Sequence, residues 1–135
     1  MILVTKEYSA EIAHRLPRHA GNCKYIHGHS YRFEITLEGE TNETGMVVDF
    51  KEVKTLIEKV IGDWDHSLIL YEGDPLTRYV DGYARIIKFP WYPTAENMAC
   101  YIGRELTQKL ASSFAVSVHS VRVWETATSV AEWRR

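Results

Sequence analysis

The chain has 135 residues, a formal net charge of −2, and 45% hydrophobic and 25% charged residues. That balance suits one globular domain over residues 1–135 and offers no basic surface for nucleic acid. No apolar run approaches the ~20 residues of a membrane span, the N-terminal stretch lacks a basic leader pattern, and two cysteines make no disulfide framework, so the expectation is a cytoplasmic protein with free thiols.

In chain order, Tyr8, Ala10, Ile12 and His14 fall in one phase of an alternating segment, which predicts a strand whose half-buried face ends at His14. A loop from Pro17 to about Lys24 follows, and then a second strand from about Ile26 to Glu40. Tyr31, Phe33, Ile35 and Leu37 share one face of it, and His27 and His29 have the same odd phase, ~6–7 Å apart along the strand. Asp49 is an expected N-cap for a helix carrying Phe50, Val53, Leu56, Ile57, Val60 and Ile61 at helical spacing, with Gly62 as its stop. A loop and a short apolar run, "DWDHSLILYEGDP", lead to a third strand in "YARIIKF", ended by Pro90 and Pro93. Thr94 caps a second helix from Ala95 to about Ala111, and the last strand runs from about Val116 to Thr126. Its apolar phase switches between Val118 and Val121, which predicts a bulge near His119 or Ser120. The pattern reads as an α+β fold of four antiparallel strands and two helices, with part of the sheet left for a second subunit to cover.

The chemistry concentrates in "NCKYIHGHSY". Strands one and two should pair and bring His14 beside His27 and His29. Three neutral imidazoles suit Zn²⁺ at ~2.0–2.1 Å per bond and leave one position open, as a catalytic zinc requires. Cys23 has two readings, a fourth ligand closing a structural site or a thiol facing a substrate. Asp65 and His66 can act together in a loop, with the carboxylate orienting the imidazole, or they can be an ordinary helix-exit turn. Glu125 lies in the apolar run "VRVWET". There a carboxylate is either on the exposed face or buried to bind a ligand, and a guanidine-like N–H edge would suit it. Cys100 reads as core filler, and His19 and His119 as exposed or locally hydrogen-bonded residues.

Taken together, "AEIAHRLP", "CKYIHGHSY", "DWDHSLIL", "PTAEN" and "WETATSVAEW" resemble, in this order, segments of the 6-pyruvoyltetrahydropterin synthase / 6-carboxytetrahydropterin synthase family. The resemblance covers nearly the whole chain. It implies the T-fold, a four-stranded antiparallel sheet with two helices on one face. Subunits of that fold form trimers whose sheets close into a barrel, commonly paired as hexamers, with active sites between subunits. It implies Zn²⁺ held by His14, His27 and His29, Cys23 as the catalytic thiol, Asp65 and His66 as its proton-transfer partners, and Glu125 as the anchor of the pterin ring. The substrate implied is 7,8-dihydroneopterin triphosphate, for which Arg15, Arg18 and Lys24 are candidate phosphate contacts. Three residues separate Cys23 from His27. That spacing resembles the 6-carboxytetrahydropterin synthases of queuosine and other 7-deazaguanine pathways rather than the pyruvoyl-forming enzymes. The rival readings are the pyruvoyl-forming reaction and a non-catalytic, zinc-stabilised oligomeric module.

Overall fold

The computed structural model describes residues 1–111 and 115–135. Two long strands form its spine, β1 (Ile2–His14) and β2 (His27–Gly39), paired antiparallel without a break from Ile2 opposite Gly39 to His14 opposite His27. Strict alternation drives this pairing, because every second side chain enters the core: Tyr31, Phe33, Ile35 and Leu37 are each at most 1% exposed. The helix α1 (Phe50–Ile61) starts where expected, with the Asp49 carboxylate accepting the Lys51 N–H at 2.8 Å. It buries Val53, Ile57 and Ile61 and leaves Phe50 exposed.

Gly62 does end α1, but in right-handed backbone (φ −59°), so the chain tightens into a 3₁₀ turn over Gly62–Trp64 instead of reversing through a left-handed cap. The short apolar run after it is itself a strand, β3 (Ser67–Tyr71), lying parallel to β1 with Ile12 opposite Ser67. Four of its five residues are buried, so it has no alternation to reveal it. A four-residue helix, α2 (Thr77–Val80), precedes β4 (Arg85–Phe89), which pairs parallel to β3. The helix α3 (Ala95–Leu110) is capped by Thr94 and packs over β5 (Val116–Trp124) and β6 (Val130–Arg134).

The sheet therefore has six strands in the order β4-β3-β1-β2-β5-β6, against the four expected. Four of them, β1, β2, β5 and β6, are antiparallel, while β3 and β4 extend the sheet in parallel. The expected strand in "YARIIKF" is thus a parallel edge strand, and β6 takes the antiparallel place. The expected bulge is present: Ser120 faces Thr36 and Val118 faces Leu37, so His119 is the extra residue.

Both long helices cover one face, whose core runs from Ala10 and Ile12 through Phe33 and Val121 to Met98, Ile102 and Leu106. The other face is charged. Arg32 bonds Glu7 at 2.9 Å and Glu34 at 3.1 Å, and Arg122 bonds Glu34 at 3.2 Å. The guanidinium groups of Arg32 and Arg122 lie over the Trp124 ring at 4.7 and 5.1 Å from its centroid. Among the described residues, no helix is long and apolar enough to cross a membrane.

Candidate metal centre and active site

The pairing of β1 with β2 builds the centre. Its register sets His14 directly opposite His27, and Ile12 opposite His29. All three rings point to the helix-covered side, with centroids 4.6, 4.9 and 5.1 Å apart. Their ligand atoms all lie within 4.8 Å of one another.

The hydrogen bonds settle which nitrogens are free. His14 Nδ1–H donates to the Pro93 carbonyl at 2.7 Å, and His27 Nδ1–H donates to the Tyr25 carbonyl at 2.8 Å. A carbonyl only accepts, so each Nδ1 carries the proton and each Nε2 presents a lone pair. Those two Nε2 atoms face each other at 3.1 Å. Two bare lone pairs at that range repel unless a cation stands between them. Protonating a ring is the alternative, and burial opposes it, lowering the pKa of both His14 and His29. The Nε2 of His29 is buried and lacks a hydrogen-bond partner. Nitrogens bound tetrahedrally to one ion at ~2.0–2.1 Å would lie ~3.3–3.4 Å apart; the His14–His27 pair is already close to that spacing, and His29 lies within 4.8 Å of both.

Glu125 stands one residue beyond β5, in a turn closed by its N–H to the Ser129 carbonyl at 3.1 Å. It is therefore not within the strand, as the apolar run suggested. Its Oε1 reaches within 3.3 Å of His14 Nε2 and 3.6 Å of His29 Nε2, at the rim of the cluster. Tyr31 was not singled out as a site residue, although it shares the odd phase of His27 and His29. Its hydroxyl lies 3.3 Å from His14 and 3.4 Å from Glu125 Oε1. Burial first, and the Glu125 charge second, push the Tyr31 pKa up, so the hydroxyl keeps its proton as a donor. In the sequence Pro93 marks only the end of a strand, since nothing local links it to a histidine 79 residues away.

Cys23 sits half-buried in a 3₁₀ turn, Asn22–Lys24, ahead of His27, and it is a free thiol. The group able to hold a metal among the described residues is His14, His27 and His29, without Cys23. Asp65 and His66 do form a pair, with His66 Nδ1–H donating to Asp65 Oδ2 at 2.9 Å. The Glu11 N–H, donating at 2.8 Å, and the His66 bond hold the Asp65 carboxyl below its usual range. His66 has φ 60°, in the left-handed region that a histidine seldom adopts, and its ring is exposed.

Cys23 is not among the residues that line the cavity beside His66. His66 opens onto a cavity of about 580 Å³ whose lining includes Glu11, Ala13, Gly28, Leu68 and Tyr83. Ala13 and Gly28 occupy the strand phase opposite to His14 and His27, on the sheet face the helices leave uncovered, and Ile12 and His29 of the inward phase also border the cavity. Of the candidate phosphate contacts, Arg15 is already engaged. Its guanidinium forks onto Asp74, with Nε to Oδ2 at 2.7 Å and Nη2 to Oδ1 at 2.5 Å. His19 accepts the Gly21 N–H at 2.8 Å, a local bond as expected, whereas His119 meets Glu38 of the neighbouring strand at 3.2 Å, a partner 81 residues away.

Known proteins share this architecture. A protein from Rickettsia bellii named 6-carboxy-5,6,7,8-tetrahydropterin synthase is 34% identical over 98% of this chain and 99% of its own length. A Haemophilus influenzae protein of the same name is 32% identical over 99% of each chain. The structure of 6-pyruvoyl tetrahydropterin synthase from Caenorhabditis elegans superposes with a TM-score of 0.70 at 25% identity, over 100% of this chain and 97% of that one. The model of the family described as 6-pyruvoyl tetrahydropterin synthase matches residues 3–135. With its T-fold and its convergent histidines, the chain belongs to the 6-pyruvoyl tetrahydropterin synthase family.

Proposed function

We propose that residues 1–135 form one domain that acts as a 6-carboxy-5,6,7,8-tetrahydropterin synthase. It would convert 7,8-dihydroneopterin triphosphate to 6-carboxytetrahydropterin with release of acetaldehyde and triphosphate, a precursor step for 7-deazaguanines. The observation that carries this reading is the facing pair of bare Nε2 atoms on His14 and His27, with His29 beside them and Cys23 four positions before His27. The names of the Rickettsia and Haemophilus relatives agree with it.

His14, His27 and His29 are the ligand set for Zn²⁺, which supplies Lewis-acid polarisation of substrate oxygens when bound. The carbonyls of Pro93 and Tyr25 hold two of the rings in the ligating tautomer. Cys23, as a thiolate, takes a proton from the substrate side chain. Glu125 accepts two parallel N–H bonds from the pterin edge. Asp65 orients His66, which relays protons. Because that pair opens on the uncovered sheet face, it serves the Cys23 of a neighbouring copy, and the active unit is a homo-oligomer, a trimer or hexamer, with sites between subunits. A cytoplasmic setting suits the two free thiols.

The test is product analysis after incubating zinc-loaded protein with 7,8-dihydroneopterin triphosphate, by mass and by acetaldehyde assay. The 6-carboxy product with acetaldehyde is expected. A 6-pyruvoyl product without acetaldehyde would move the chain to the other reaction of its family. Failure of a folded, zinc-loaded oligomer to form any pterin product would overturn the assignment.

A further inference from the structure

The loop between the two metal-ligand strands, residues 15–26, carries Cys23, and hydrogen bonds within the loop shape it. Leu16 N–H donates to the Cys23 carbonyl at 2.8 Å, His19 N–H to the Leu16 carbonyl at 2.9 Å, and Tyr25 N–H to the Asn22 carbonyl at 3.0 Å. Among the described residues, the side-chain hydrogen bonds that tie this loop to a part of the chain beyond the flanking His27 are the two from Arg15 to Asp74. Arg15 thus stands between two parts of the site, directly after His14 and directly before the residue that holds the Cys23 carbonyl.

The receiving end is built to stay in place. Asp74 is 2% exposed. Its Oδ1 also accepts the Leu76 N–H at 2.9 Å, and its carbonyl accepts the Thr77 hydroxyl at 2.9 Å. Its own N–H donates to the Tyr71 carbonyl at 2.9 Å, at the end of β3. Because β3 runs beside β1, with Ile69 opposite His14, the segment after β3 is fixed relative to the metal ligands. A forked guanidinium–carboxylate pair constrains angle as well as distance, which a single point contact does not.

We propose that Arg15 and Asp74 are positioning residues, which hold the Cys23 loop at a set distance from the histidine cluster. This rests on the proposed role of Cys23 as the reacting thiol. It explains why a basic residue beside the site is turned away from solvent, and it gives the segment around Asp74 a task in catalysis without any contact to substrate.

The experiment compares the parent with Asp74→Asn, which keeps the side chain's shape but loses its charge. Three quantities are measured on folded, zinc-loaded protein: zinc stoichiometry, kcat and KM, and the alkylation rate of Cys23 by iodoacetamide, resolved from Cys100 by peptide mass. The expected result is parental zinc content, a kcat lowered by up to about 100-fold with a smaller change in KM, and alkylation of Cys23 several-fold faster with Cys100 unchanged. Asp74→Glu, which restores a carboxylate, should recover part of both. If Asp74→Asn does not fold, Arg15→Lys keeps the charge and removes the fork, and the same readouts apply. Parental kcat and parental Cys23 alkylation, with only a lower melting temperature, would overturn the proposal and leave a pair that merely stabilises. A parent without pterin-synthase activity would sink the functional reading alone, since the alkylation rates still decide whether the loop is held.

Discussion

Gly103 offers the sharpest test of the packing that carries Glu125. It lies within α3 and faces the indole of Trp133 on β6. A Cβ added there would stand 2.1 Å from Trp133 Cε3, 2.4 Å from Cδ2 and 2.6 Å from Cζ3. Carbon atoms pack best at ~3.5–4.0 Å, so Gly103→Ala forces a shift of more than an ångström in the indole or in the helix. Two effects oppose each other. Alanine is favoured over glycine in a helix interior by about 1 kcal/mol. Overpacking costs about 1–3 kcal/mol, and the bicyclic ring yields only as a unit. The net expectation is a loss of up to about 2 kcal/mol, which for a domain of this length lowers the melting temperature by up to about 7 °C. The displacement also reaches the site. β6 pairs with β5 through Val130 and Trp124, and the Ser129 carbonyl closes the turn that presents Glu125. Urea and thermal unfolding measure the first effect, and KM for the pterin substrate, expected to rise, measures the second. A Gly103→Ala protein as stable as the parent, with unchanged KM, would show that helix propensity outweighs the contact and that β6 does not position Glu125.

The remaining expectations concern the centre and its supports. Cys23→Ala should keep zinc and lose turnover, by metal analysis and product assay; loss of the metal instead would make Cys23 a fourth ligand. His27→Ala should lose both metal and activity, and full zinc occupancy in that variant would remove His27 from the ligand set. Glu125→Gln should weaken substrate binding while leaving metal content alone, and an unchanged affinity would contradict its anchoring role. The Asp74 carboxyl gives a pH signature. Burial alone would raise its pKa, but the bonds from Arg15 and from the Leu76 N–H hold it below the ordinary 3.8. The unfolded chain then binds the proton more readily than the folded one, so this contribution is complete above about pH 4 and fades as pH falls through the folded value. The thermal stability of the parent should decline on acidification more steeply than that of Asp74→Asn, and parallel profiles would refute it.

What the sequence determined by itself is everything written in local periodicity. Alternation in two segments placed His14, His27 and His29 in the inward phase, because side chains of a strand turn by half a revolution per residue. The caps Asp49 and Thr94, the two long helices and the bulge at His119 also follow from neighbours a few residues apart. The tertiary structure decided what depends on distant partners. The register of β1 on β2 sets His14 opposite His27, and a loop the length of 15–26 leaves that register free. β3 is buried along nearly its whole length and joins β1 in parallel, which its uniform apolar run does not disclose. Capture of Arg15 by Asp74 spans 59 residues, the Pro93 carbonyl that fixes the His14 tautomer comes from 79 residues away, and the pairing of Asp65 with Glu11 spans 54. Each of these contacts forms because packing brings two groups remote in sequence side by side, and no periodicity along the chain records where they will meet.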